Sequence, residues 1–126
     1  MKNQKKTRFL LIDDDPTFGY LMQHEARNRG IEMQYYPSLM DMGYIGSLSN
    51  YDAAIIDYHL ENMTGDEVAR YFEVFLPDKP IVLISSSKRS WRLPEEEKRG
   101  LRSIVSKQHG LNFLFDRVIA ATSSSV

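Results

Sequence analysis

No cysteine occurs anywhere in the chain, which excludes disulfides and thiolate metal sites. Neither charge sign is in excess: 16 Lys and Arg stand against 17 Asp and Glu, for a net charge of −1. A strong electrostatic pull toward nucleic acid or an anionic membrane is therefore not expected, and no direct contact with either is predicted. No apolar run approaches membrane-spanning length. The start, MKNQKKTRF, is polar and basic and lacks the apolar core of a signal peptide, so the expected compartment is the cytoplasm. There is no internal repeat, and low complexity is confined to the serine run of the last residues, Thr122–Val126.

What is present fits one globular domain. At 126 residues the chain can bury a real core, and 42% of its residues are hydrophobic. Residues 1–7 read as a flexible basic N-terminus, 8–122 as the domain, and 123–126 as a Ser-rich tail or the start of a linker. Short aliphatic runs alternate with longer amphipathic stretches. Strands are expected at Arg8–Ile12, Ile31–Tyr36, Tyr51–Asp57, Ile81–Ile84 and Ser103–Ser106. Between them, Asp15 and Pro16 open a helix running to about Arg29, with Phe18, Leu21, Met22, Glu25 and Ala26 on its inner side and Gly30 as its stop. A weak helix is expected after Pro37-Ser38, others over Asp66–Leu76 and Pro94–Arg99, and a last one over Leu111–Thr122. Five such βα units predict a doubly wound α/β sandwich around a parallel five-stranded sheet.

In such sheets the working site lies beyond the carboxyl ends of the strands. Four of the strands run into Asp13, Asp57, Ser85 and Lys107. A parallel sheet brings all four to one edge. Taken alone, the triple aspartate Asp13-Asp14-Asp15 is a solvated helix start, favoured by the positive end of the helix dipole. With Asp57, Ser85 and Lys107 in register it becomes a site. Asp13, Asp14 and Asp57 crowd negative charge, which a hard divalent cation such as Mg²⁺ relieves through oxygen ligands. A lysine opposite the cation and a serine hydroxyl leave room for one tetrahedral anion. Those are the parts of phosphoryl transfer, with a carboxylate as the available nucleophile.

From Arg8 to about Thr122 the chain resembles a response-regulator receiver domain of two-component signalling, of the chemotaxis-regulator-like kind. The family's acidic pair after the first strand matches Asp13-Asp14, and its phosphoacceptor falls on Asp57. Its glycine eight residues later matches Gly65, and its Thr or Ser ending the fourth strand matches Ser85, with Lys107 a further twenty-two residues on. The resemblance implies a flavodoxin-like fold with strand order 2-1-3-4-5. It implies that Asp57 takes a phosphoryl group from a histidine kinase's phosphohistidine, a phosphotransfer protein or a small donor. It also implies that Mg²⁺ is held by Asp13, Asp14, Asp57 and the backbone carbonyl of His59. Lys107 would pair with Asp57 at rest, and Ser85 would hydrogen-bond the phosphoryl group. Such a protein catalyses only its own phosphorylation and dephosphorylation. Four positions depart from the pattern: Gln108 replaces the proline after the lysine, Ile104 the switch aromatic, Glu61 a common proline and Ser86 a small apolar residue. Without that proline a cis peptide costs about 2.5–4 kcal/mol, so a trans Lys107–Gln108 bond and a rearranged loop are expected.

Two other readings fit parts of the chain. A phosphorylation-independent, pseudo-receiver interaction module accepts Ile104 and Gln108 but leaves the complete set of site residues without a role. LLIDDDPTF also fits the D-x-D-x-T signature of haloacid-dehalogenase-like phosphatases, with Asp13 as nucleophile, Asp15 as general acid and Thr17 beside them. That reading lacks a late acidic motif and gives Asp57 nothing to do. His24, His59 and His109 have no metal-ligand spacing, although His59 falls beside the site. The basic residues from Lys88 to Arg102, interleaved with Trp91, read as a solvated face or, over 88–107, as a docking surface for a downstream protein. A monomer or weak dimer is expected. No output domain fits after the last helix, so the chain either acts through protein contacts or is part of a longer protein.

Overall fold

The computed structural model describes residues 6–42, 50–60, 64, 67–70, 79–86 and 102–123. The described strands are β1 (Arg8–Ile12), β2 (Glu32–Tyr36), β3 (Ala53–Asp57), β4 (Ile81–Ser85) and β5 (Arg102–Ser106). The helices are α1 (Pro16–Asn28), α2 (Leu39–Met42), a helical turn over 67–70 that we label α3, and α4 (Leu111–Ser123). All five strands are parallel, in the order β2-β1-β3-β4-β5. This is the doubly wound flavodoxin-like sheet the alternation predicts, and each strand lies within about two residues of its expected span. The expected helix over 94–99, Trp91 with most of its basic neighbours, Glu61 and Gly65 fall outside the described residues, as does most of the Asp66–Leu76 span.

Two aliphatic clusters sandwich the sheet because successive strand side chains point to opposite faces. Phe9, Leu11, Ile55, Val82, Ile84 and Val105 meet Met22 and Ala26 of α1 and Leu114, Phe115 and Val118 of α4. On the other face, Leu10, Ile12, Ala54, Ile56, Ile81 and Leu83 meet Met42, Tyr51, Val68 and Ala69. β3 and β4 are buried along their whole length, as strands covered on both faces must be. The helices of the first face are tied together by Arg29, which reaches Glu25 at 2.8 Å, Asp116 at 3.1 Å and Asn112 at 3.0 Å.

Helix α1 begins as its sequence predicts: Asp15 accepts from the amides of Thr17 and Phe18, and Pro16 follows the cap. Its end is also as expected, since Gly30 takes φ +72, a conformation that excludes most side chains. The inner face needs one correction. Leu21 is 45% exposed, and Gly19 takes a buried place beside Met22 and Ala26. Leu21 sits about 100° around the helix from Met22 and so turns off the sheet-facing stripe.

Burial makes a sharp difference between two apolar substitutions. Phe115→Ala, at a site with no exposure, should cost about 3–5 kcal/mol by urea denaturation. Leu21→Ala should stay within about 0.5 kcal/mol.

Candidate functional site

The strands deliver their polar ends to one edge, and short side-chain turns fix them there. After β1, the Asp13 amide still bonds the Tyr36 carbonyl at 3.2 Å, which carries the β1–β2 pairing one residue past the strand. The Asp13 carboxylate then accepts the Asp15 amide on Oδ1 at 2.9 Å, turning the chain into α1. Asp57 repeats the arrangement: its Oδ1 accepts the His59 amide at 3.2 Å. After β5, Ser106 accepts the Gln108 amide at 3.1 Å and starts a one-turn 3₁₀ helix, Lys107–His109. At three strand ends, therefore, a side chain captures the amide two residues on.

Each aspartate turn leaves a second oxygen facing inward, and Lys107 meets both. Its ammonium lies 2.8 Å from Asp13 Oδ2 and 3.7 Å from Asp57 Oδ2. The shorter contact is with Asp13, whereas the resemblance implied Asp57 as the partner at rest. Asp13 is fully buried and Asp57 nearly so. The Lys107 approach to Asp13 Oδ2 is close but poorly aligned, so that buried oxygen has an ion pair and no well-formed hydrogen bond. The Phe18 ring, one turn into α1, stands 4.4 Å from the ammonium and closes its other side.

Asp14 completes the cluster from an exposed position. Ligand oxygens of Asp13, Asp14 and Asp57 all lie within 4.8 Å of one another. Three carboxylates thus crowd one ammonium, and the imbalance shows in the acidities of the two buried ones. Burial raises the Asp13 pKa against the opposing pull of Lys107 and the Asp15 amide. Burial, reinforced by the Asp13 charge, pushes Asp57 up to about 6 despite Lys107 and the His59 amide.

These residues fit a hard divalent cation. The donors are carboxylate oxygens, the charge is underbalanced, and Asp13 Oδ2 is a buried acceptor without a well-aligned donor. Ser85 is fully buried at the end of β4 and lies level with Ser106 across the ladder. His59 is exposed; its amide serves Asp57, and its ring packs edge-on against Tyr58 at 5.2 Å. Ile104 is half-buried against the second core cluster, and the Lys107–Gln108 peptide is trans, as the missing proline predicts. Asp15 spends its carboxylate on capping α1, which removes it as the free general acid that the phosphatase reading requires.

Sequence reasoning missed three neighbours of the site: Phe18 over Lys107, Tyr35, and Gly19 beneath Tyr35. The Tyr35 hydroxyl donates to the Asp13 backbone carbonyl at 2.6 Å. A Cβ on Gly19 would stand 2.6 Å from the Tyr35 ring, so only glycine fits there without a shift. The one available signal was a glycine in mid-helix, which costs about 1 kcal/mol against alanine and so asks for a packing reason.

No family model and no curated protein matches the chain. Solved structures do. A CheY-like response regulator receiver domain protein from Methanospirillum hungatei JF-1 is similar with a TM-score of 0.80 at 15% identity, covering 95% of this chain and 96% of that one. The response regulator TrrA from Thermotoga maritima, solved in complex with Mg²⁺–BeF, has a TM-score of 0.77 at 22% identity, covering 91% and 98%. The receiver domain of the hybrid histidine kinase CckA gives 0.72 at 17% identity, over 91% and 98%. At these identities the likeness is one of fold: the chain has the fold of response-regulator receiver domains over most of its length.

The raised pKa of Asp57 has a stability consequence. Its carboxyl holds its proton more tightly folded than unfolded, so folding is penalised as pH rises from near 3.8 through about 6. Asp57→Asn removes the penalty. Without divalent cations the variant should exceed the parent by up to about 3 kcal/mol above about pH 7, and the gain should vanish toward about pH 4. Thermal unfolding of both proteins across that range checks this.

Proposed function

We propose that the chain is a phosphoacceptor receiver domain of a two-component system, with Asp57 as the residue that is phosphorylated. One observation carries the reading: Asp13 and Asp57, from separate strands, share the Lys107 ammonium while Asp14 stands within ligand distance of both. An Asp57 carboxylate oxygen attacks the phosphorus of a phosphohistidine on a histidine kinase or phosphotransfer protein. The P–N bond breaks with its electron pair left on the imidazole, which takes a proton from solvent, and an acyl phosphate forms on Asp57. Water later attacks that phosphorus, the P–O bond to Asp57 breaks, and inorganic phosphate leaves as the carboxylate is restored. Mg²⁺, held by Asp13, Asp14, Asp57 and the His59 carbonyl, supplies charge neutralisation for the phosphoryl oxygens when bound.

The chain's own groups do the remaining work. Lys107 is positioned to move from the carboxylates to the incoming phosphoryl oxygens, and Ser85 supplies a hydroxyl donor at the same edge. The Asp57 pKa of about 6 leaves most of the carboxylate ionised, and nucleophilic, at neutral pH. TrrA with Mg²⁺–BeF supports the cation, and the CckA receiver supports a histidine kinase as donor. Output would pass to a downstream protein, with residues 88–107 as the candidate contact. The protein would work in the cytoplasm as a monomer or weak dimer, and its phosphoryl chemistry would be confined to itself. No described helix is long and apolar enough to cross a membrane.

A phosphorylation-independent module is the second reading. Ile104 supports it, because a half-buried aliphatic side chain offers no ring to rotate when Ser85 engages a phosphoryl group. Partner affinity measured with and without a phosphoryl mimic separates the two.

Incubation with Mg²⁺ and acetyl phosphate should add one phosphoryl group, seen by intact mass, and beryllofluoride should shift amide resonances around Asp14, Asp57 and Lys107. Asp57→Ala should show neither change. An unmodified parent with an unmoved spectrum defeats the proposal, and sustained turnover of a phosphate ester would favour the phosphatase.

A further inference from the structure

The three acidic side chains are not held equally. Asp13 is fixed by the Asp15 amide and Lys107, and Asp57 by the His59 amide and the same lysine. Asp14 is exposed, and its carboxylate has no hydrogen-bond or ion-pair partner among the described residues. Its reach starts from the backbone that carries it, and turning the peptide plane joining Asp13 to Asp14 moves that starting point, because the turn changes ψ of one residue and φ of the other.

That plane has a dedicated restraint. The Tyr35 hydroxyl, from the edge strand β2, donates to its carbonyl oxygen at 2.6 Å. Across the same strand end, the Asp13 amide bonds the Tyr36 carbonyl at 3.2 Å. The Tyr35 ring can lie there because Gly19 offers no Cβ; one would come within 2.6 Å of the ring.

We infer that Tyr35, seated on Gly19, is a positioning residue for the cation site: it orients the Asp13–Asp14 peptide so that the unsupported Asp14 carboxylate meets the other two. The inference rests on the Mg²⁺ reading above, and its test separates the two. Mg²⁺ alone is titrated into the parent chain and variants, with binding read from amide spectra and calorimetry and no phosphoryl donor present. Tyr35→Phe should keep the dispersed spectrum of the folded chain yet bind Mg²⁺ about three- to tenfold more weakly, the range set by one lost hydrogen bond. The Asp14 and Asp15 amides should shift even before metal is added. Tyr36→Phe should bind as the parent does. Gly19→Ala, which keeps the hydroxyl but crowds the ring, should weaken binding as well and serves if Tyr35→Phe does not fold. A parent chain that binds no Mg²⁺ overturns the cation reading and this inference with it. A parent that binds while Tyr35→Phe stays within twofold of it overturns the positioning role alone.

Discussion

One ammonium faces three carboxylates at the edge of an otherwise aliphatic sheet, and much of the site derives from that imbalance. Lys107 reaches both Asp13 and Asp57 but matches neither charge fully, since both are buried and Asp14 adds a third. A buried carboxylate without enough positive charge holds its proton, and Asp57 does so up to about 6. The arrangement therefore costs stability in the resting chain. The same cost favours any cation that enters, because binding relieves repulsion already present. A structural ion-pair network would balance its charges internally; this one leaves them open toward solvent through Asp14.

The sheet can bear that cost because the two faces behind the site are closed by packing. β3 and β4 contribute fully buried strands, and each core cluster joins strand residues to helices on its own side. Rigid strands then set where the polar ends lie, and the i+2 turns at Asp13, Asp57 and Ser106 set how they leave. Each aspartate turn uses one oxygen for structure and keeps the other for Lys107. This division explains how a chain can place charges beside a dry core: half of each carboxylate is satisfied by its own backbone.

The parts of this design that depend on local pattern were legible in the sequence. Aliphatic runs broken by amphipathic stretches predicted the parallel sheet, and an aspartate before proline predicted the α1 cap. Residues at strand ends predicted which side chains would converge, because parallel pairing puts all carboxyl ends on one edge. What escaped notice depends on distance across the fold. Leu21 and Gly19 differ by two positions on α1, and only the angle at which the helix lies on the sheet decides which is buried. Tyr35 over Gly19, and Phe18 over Lys107, join elements whose spacing no periodicity encodes. The choice of Lys107 for Asp13 over Asp57 is a difference of less than an ångström, below what spacing can resolve.

Positions 104 and 108 lie on β5 and in the turn that follows it. Ile104 packs inward with the second cluster, and Gln108 gives its amide to Ser106 within a trans 3₁₀ turn, yet Lys107 still arrives between Asp13 and Asp57. The lysine's placement thus does not require a proline at 108: the Ser106 turn fixes how the chain leaves β5. The acids are held from β1, β2 and β3 and, across the sheet edge, by Lys107 at the end of β5.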